Sequence, residues 1–266
     1  ALRSIKQLVM NKYSSGLQKR NLSIIQTFEQ TGARRTEALL TKVDYVKAAI
    51  NSNETCPKLK FVTLKRNSHF RLIPVPRVYL NNLMDYINTT RKKLIYNKIG
   101  KDNDHGLVFV CHKKGTPLTP DTISTYMGNW RREAGIEDAF FAHLIRHYFI
   151  TEKLKCMILE YNYINRKDEF RKALLTVNKL KIELQQWTGH KRIDSLDTYI
   201  DLAFAELAGY KESLDKVSLM SSVDAALDSI ELFFTETKKN PKKVLELSEE
   251  LKTNLLSFKT DISNLS

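Results

Sequence analysis

"LKFVTLKRNSHFRLIPVP", residues 59–76, decides the fold class of this chain. Its runs at 59–65 and 69–75 are rich in aliphatic, aromatic and β-branched residues, which favour a pleated, half-buried surface, and the polar "RNS" between them reads as a turn. Pro74 and Pro76 close the second run, because proline cannot donate to a sheet ladder. An antiparallel hairpin is expected here, with "YVKAAI" at 45–50 as a candidate third strand.

Nearly everything on either side has helical spacing. Upstream, 2–13 and 19–30 read as helices, the second with Leu22, Ile25 and Phe28 on one stripe. Thr31, Gly32 and Ala33 interrupt it and "RRTEALL" resumes the period, so a sharp turn places Arg34 at a helix start. Downstream, "RVYLNNLMDYINTTRKKLIY" (77–96) is helical, "LVFVCHKKGTPLT" (107–119) is extended and then loop, and "PDTISTYMGNWRREAG" (120–135) opens a helix near Pro120 and Asp121 that ends at Gly135. Another helix spans 143–157, and the charged "NRKDEFRKALLTVNKLKIELQQW" (165–187) reads as one helix stopped by Gly189. A short helix then holds Asp197, Thr198 and Tyr199. The expected fold is mainly α with a small antiparallel β-sheet, an α+β arrangement.

Past about Gly209 the character changes. "SSVDAALDSIELFFTE" and "KKVLELSEELKTNLLSFKTDI" are amphipathic helices separated by "TKKNP", and the second sets Val244, Leu247, Leu251, Leu255, Phe258 and Ile262 at three- and four-residue steps. That stripe has to be covered, by the chain's own body or by a neighbouring protomer. The chain therefore divides into a body, 1–210, and a C-terminal helical extension, 211–266.

Charge follows the same division. The net charge is +13, yet residues 211–266 hold eight lysines, no arginine and ten acids, which leaves +15 on residues 1–210. A body so basic has the electrostatic footprint of a polyanion-binding surface. No run approaches the ~18 apolar residues of a membrane span, and "ALRSIKQLVM" lacks a signal core, so a soluble intracellular protein is expected. Cys56, Cys111 and Cys156 have no CxxC spacing and are expected as free thiols. Without a Walker-type glycine loop or a carboxylate cluster, no cofactor, metal or ATP is implied.

Three short boxes carry chemistry. In "TGARRTEALL" a Thr-Gly turn precedes Arg34, with Glu37 one helical turn on, so a guanidinium stands at a rigid corner where free helix amides also favour an anion. Arg35 competes with Arg34, but adjacent helical residues diverge by about 100°, and the spacing to Gly32 and Glu37 selects Arg34. A plain capping turn with a surface ion pair is the bland alternative. In "HLIRH", His143 and Arg146 share a helix face, whereas His147 is read as pointing elsewhere, to packing or a backbone hydrogen bond. In "TGHKRIDSLDTYI", His190 sits at the Gly189 break and Tyr199 lies nine residues on; Trp187 beside the break is expected in the core. His69, His105 and His112 have no assigned role.

The set "TGARRTE", "HLIRH" and "GHKRIDSLDTY", in this order over residues 31–199, resembles the catalytic domain of the tyrosine recombinase (phage integrase) family. The resemblance implies a phosphoryl-transfer site in which Arg34, Arg146, His143 and His190 surround the scissile phosphate and Tyr199 is the nucleophile. It also implies a hairpin lysine as general acid, for which Lys65 is preferred, with Lys60 and the adjacent Arg66 as competitors. Glu37 would support Arg34. The implied activity is site-specific DNA strand exchange through a 3′-phosphotyrosyl link, as in integrases, transposon recombinases and chromosome-dimer resolvases. Double-stranded DNA, a tetramer of this protein on it, and accessory directionality factors are the implied partners; the implied location is the cytoplasm, at the nucleoid or in a host cell. Family members clamp DNA with a further helical N-terminal domain, which is not visible here, so a fragment that binds DNA weakly alone is expected.

The chemistry stands without the family. A phenol with a pKa near ~10 needs a base and positive charge to attack a phosphodiester at neutral pH. His143 could take the proton, and the forked guanidinium groups of Arg34 and Arg146 match non-bridging oxygens. Type IB topoisomerases share this logic but usually carry a lysine in place of the box-II histidine, so the histidine that opens "HLIRH" favours a recombinase. Telomere resolvases and a DNA-binding relative without catalysis are the remaining alternatives. Two departures from the family pattern are the long charged segment between Arg146 and Gly189 and the helical tail.

Overall fold

Helix α2 (Ser15–Thr31) is buried on nearly all sides, which a helix tolerates only when its polar groups find partners. Leu22, Ile24, Ile25 and Phe28 supply the apolar surface. Thr27 donates its hydroxyl to the Ser23 carbonyl at 2.7 Å and meets the Tyr79 hydroxyl at 3.0 Å, while Arg20 donates to Asn21 Oδ1. The structure, a computed structural model, describes residues 1–63, 70–163, 166–189, 192–207, 217–239 and 244–263.

Around α2 lie α1 (Leu2–Lys12), α5 (Arg77–Tyr86) and α8 (Ala142–Glu160). Between α2 and α5 the chain forms α3 (Arg35–Leu39), α4 (Val43–Ile50) and the hairpin β1 (Lys58–Val62) and β2 (Phe70–Pro74). The hairpin is antiparallel, with Leu59 opposite Ile73 and Phe61 opposite Arg71. Strand alternation places Leu59, Phe61, Arg71 and Ile73 on the buried face and Lys60 and Leu72 on the other. The 45–50 stretch is no third strand. It forms most of α4, where Val43, Val46 and Ala49 at three-residue steps cover one face against β1 and α5, a period that a strand cannot match.

α5 continues through a wider π-helical turn, Ile87–Arg91, into α6 (Lys92–Lys98), and α7 (Pro120–Glu133) follows the 107–119 loop. The charged 165–187 segment is two helices, α9 (Lys167–Thr176) and α10 (Asn178–Thr188), because Val177 takes extended backbone angles, φ −95° and ψ 101°. Phe170 and Leu174 of α9 and Leu180 and Leu184 of α10 are all buried in the core. α10 runs up to β2, and α11 (Asp197–Leu207) packs on α8.

The extension forms α12 (Val217–Lys239) and α13 (Val244–Ser263), packed on each other. α13 lies on α5 and α12 meets α1, α5 and α8, and two members of the stripe, Leu247 and Leu251, line a cleft with Leu232, Phe233 and Lys19 of their own chain. Lys6, buried in α1, bridges Glu29 at 3.0 Å and Asp228 of α12 at 2.7 Å. Among the described residues no helix is long and apolar enough to cross a membrane.

Candidate active site

Two Thr-Gly turns frame the site. α2 ends where Gly32 takes a left-handed backbone, φ +53°, and α10 ends in the same way at Gly189, φ +63°. Thr188 donates its hydroxyl back to the Leu184 carbonyl at 2.7 Å, and Thr31 does the same to Thr27. Gly32 is obligatory on steric grounds as well, and Gly189 is tightly enclosed. A Cβ on Gly32 would stand 2.3 Å from Phe149 Cδ1, and one on Gly189 would stand 3.2 Å from Arg34 Nη1.

After the first turn Arg34 caps α3. Its backbone N–H donates to Glu37 Oε2 at 2.9 Å, the acid's half of a helix capping box, and its guanidinium pairs with Glu37 Oε1 at 2.7 Å. Arg35 points away, donating to the Ser124 hydroxyl, as the spacing predicts. The guanidinium of Arg34 also reaches the Gly189 carbonyl at 3.5 Å, across 155 residues of chain.

Arg146, on α8, ties the two turns together. One nitrogen donates to the Gly32 carbonyl at 2.6 Å and the other to the Thr188 carbonyl, so a single fork holds both helix C-termini, where the backbone dipole favours a cation. Burial, with the charges of Arg34 and Arg71 beside it, pulls its guanidinium down to about 9.

Arg71 is the residue the sequence reading missed. It occupies an inward position of β2, and its guanidinium pairs with Glu37 Oε2 at 2.8 Å and donates to the Trp187 carbonyl at the end of α10. The available signal was the strand period: Arg71 is in phase with Ile73, on the face that the hairpin must bury. Glu37, only 2% exposed, is thus shared by two arginines. Burial alone would raise its carboxyl, but the Arg71 charge and then the N–H and charge of Arg34 hold it below its ordinary value.

An acid with a depressed native pKa contributes stability that is full above the unfolded value, 4.5, and is lost as pH falls through the native one. Glu37→Gln is therefore expected to destabilise the chain by about 3 kcal/mol at pH ~7, as breaking a buried ion pair does. Urea melts should show that gap shrinking once pH drops below the carboxyl range, and a gap that stays constant with pH would contradict the assignment.

Tyr199, 7% exposed on α11, closes the cluster next to Arg146 and Arg34. Burial raises its phenol above the ordinary value, and the two guanidinium charges oppose that rise. His147 does not point elsewhere: its ring lies 5.0 Å from the Tyr199 ring and 4.3 Å from the ring of His143, because residues four apart stack along one face of α8. His143 itself is exposed. His147 is held below its ordinary value by burial and by the charges of His143 and Arg146, which keeps the ring neutral and able to accept a proton. Lys65 and His190 lie outside the described residues. Lys60 sits on the outward face of β1, its ammonium over the rings of Phe70 at 4.4 Å and Tyr45 at 5.1 Å. Trp187 is partly buried against the core. Among the described residues no group of three or more His, Cys, Asp or Glu side chains could hold a metal ion. What the site offers is a cluster of three guanidinium groups and one carboxylate beside a phenol, a net positive pocket suited to an anionic phosphoryl group.

Known proteins resemble this chain in family and in fold. The family model described as "Phage integrase family" matches residues 3–155. Among solved structures, the XerA recombinase aligns with a TM-score of 0.51 and 16% identity, over 79% of this chain and 62% of that one. The XerH site-specific recombinase bound to palindromic difH substrate, in a post-cleavage complex, aligns with a TM-score of 0.53 and 20% identity, over 79% of this chain and 51% of that one. The chain thus spans less than two thirds of either neighbour's length. No curated protein matches it. At these identities the two structures bear on the fold alone.

Proposed function

This chain belongs to the phage integrase family, and on that premise we propose that it cuts and rejoins double-stranded DNA at specific sites through a covalent bond between Tyr199 and a 3′ phosphate. The observation that carries the reading is the convergence of Arg34, Arg146 and Tyr199, from segments as much as 165 residues apart, on one positively charged spot.

In the first step the Tyr199 oxygen attacks phosphorus and the bond to the 5′ oxygen breaks. The phenolic proton passes to the His143 and His147 pair, of which His147 is the ring beside the tyrosine. Arg34 and Arg146 neutralise charge on the non-bridging oxygens, where forked donors act most strongly in a pocket shielded from water. His190 is assigned a hydrogen bond to the same phosphate, and Lys65 the proton for the leaving 5′ oxygen. The position of the Lys60 ammonium, over Tyr45 and Phe70, supports Lys65 over Lys60 for that task. A 5′-hydroxyl from a second duplex then reverses the step, so one phosphodiester replaces another and no ATP or metal takes part. Assembly as a tetramer on two duplexes, in the cytoplasm, completes the proposal.

The test uses a nicked duplex selected by this chain from random sequence, so that the short leaving strand diffuses away after cleavage. A protein-DNA band on a denaturing gel is expected with wild type in EDTA, linked to the 3′ phosphate, and absent with Tyr199→Phe. Stable binding without that band would favour a DNA-binding relative that lacks catalysis. Relaxation of a supercoiled plasmid by single protomers, without strand exchange, would favour the topoisomerase reading.

A further inference from the structure

We propose that Arg71 is a positioning residue for this reaction: it engages one oxygen of Glu37 so that Arg34 keeps its charge for the phosphate. The inference rests on the cleavage chemistry proposed above and adds a residue to it.

The pairing is one carboxylate between two guanidinium groups. Glu37 Oε1 lies 2.7 Å from Arg34 Nη1, and Oε2 lies 2.8 Å from Arg71 Nη2. The side chains of Glu37 and Arg71 are 2% and 3% exposed, whereas that of Arg34 is 33% exposed. Water therefore reaches Arg34 alone among the three, and a phosphate oxygen would arrive from that side. If Arg71 were absent, both oxygens of the buried carboxylate would turn to Arg34, and a neutralised guanidinium has little to offer an anion. Arg71 has partners of its own. Its fork is committed to Glu37 on one nitrogen and to the Gln186 and Trp187 carbonyls of α10 on the other, at 3.5 Å for Gln186.

The same contacts explain why an arginine is needed. The residue has to cross from the carboxylate to the end of α10 while lying under Phe61, 5.8 Å from its ring centre. A planar two-pronged cation satisfies both ends, and a single ammonium satisfies one. Next to it, a Cβ on Gly189 would stand 3.4 Å from Arg71 Cδ, so the Gly189 turn lies close against this side chain.

A charge-removal rescue separates this role from simple packing. With the nicked duplex described above, Arg71→Met is expected to slow single-turnover cleavage by at least about a hundredfold, the size of a lost transition-state donor, with DNA affinity within about threefold of wild type. Arg71→Met combined with Glu37→Gln removes the competing carboxylate but keeps an amide oxygen for the Arg34 N–H. The double variant is expected to cleave within about tenfold of wild type. A folded double variant as slow as Arg71→Met overturns the proposal, and so does an Arg71→Met protein that cleaves normally. Where Arg71→Met does not fold, the double variant decides alone: since its buried charges leave together, it should melt above Arg71→Met, and a hundredfold slower rate in the folded double variant refutes the role. Failure of the wild type to form the Tyr199 link would instead remove the underlying cleavage reading.

Discussion

Arg146→Lys is expected to abolish measurable strand cleavage, with a rate at least about a thousandfold below wild type, while DNA is still bound. Two demands meet in this residue. Its fork holds the Gly32 and Thr188 carbonyls, and the same guanidinium is one of the two assigned to the scissile phosphate. A lysine reaches one carbonyl and leaves the other without its donor. Protonation compounds the loss: burial beside Arg34 and Arg71 already brings the guanidinium to about 9. An ammonium begins lower than a guanidinium, so the same burial and neighbouring charges weigh more heavily against its charged form. The lost charge-assisted bond should also lower the melting temperature by about 5 °C. Quench-flow cleavage of the nicked duplex, with a gel-shift titration beside it, measures both effects. A rate within tenfold of wild type would remove Arg146 from the reaction.

Gly32→Ala is the substitution expected to cost the most stability, about 3 to 5 kcal/mol. Part of the loss is conformational, since an alanine at φ +53° adopts a backbone that L-residues disfavour by about 1 kcal/mol. The larger part is contact: the new methyl would lie 2.3 Å from Phe149 Cδ1 and 2.7 Å from Cγ, so the ring or the turn has to move. Movement of the turn also displaces the carbonyl that Arg146 holds, so cleavage should fall together with stability. Adding Phe149→Leu makes room, and the double variant should be more stable than the two single losses predict by about 1 kcal/mol. Strict additivity in thermal melts would show that the ring is not the obstacle.

These effects fall on residues of unequal legibility. The Thr-Gly turn, Arg34 and Glu37 could be read from spacing because a capping box is a local device, complete within seven residues. Arg146 and Tyr199 were legible as boxes but not as neighbours, since no sequence pattern states what α8 and α11 pack against. Arg71 was hidden for the opposite reason. Its strand was correctly read as part of a hairpin, and its phase with Ile73 marked it as inward, but the carboxylate that makes an inward arginine affordable sits 34 residues away. His147 was misplaced because adjacency to Arg146 drew attention from its four-residue spacing to His143. In the 165–187 segment, continuous helical periodicity concealed a break at Val177, where a β-branched residue adopts extended angles. The stretch at 45–50 is only a candidate strand by its β-branched and aromatic members, and the buried trio Val43, Val46 and Ala49 shows that the helical period prevails. The stripe of α13 was legible as apolar; that the helix rests on α5 and α12 was a question only tertiary structure answers.

The Arg146 fork has a further consequence for how the chain comes into being. It joins carbonyls 114 residues before it and 42 residues after it in the chain. A growing polypeptide therefore completes Arg34, Glu37 and Arg71 long before the turn at Gly189 exists for them to grip. Until then Arg146 lacks one of its two carbonyls and the tyrosine has not been made. On the proposed mechanism the site is complete only when the last helices close on the first, so an unfinished chain would lack its nucleophile.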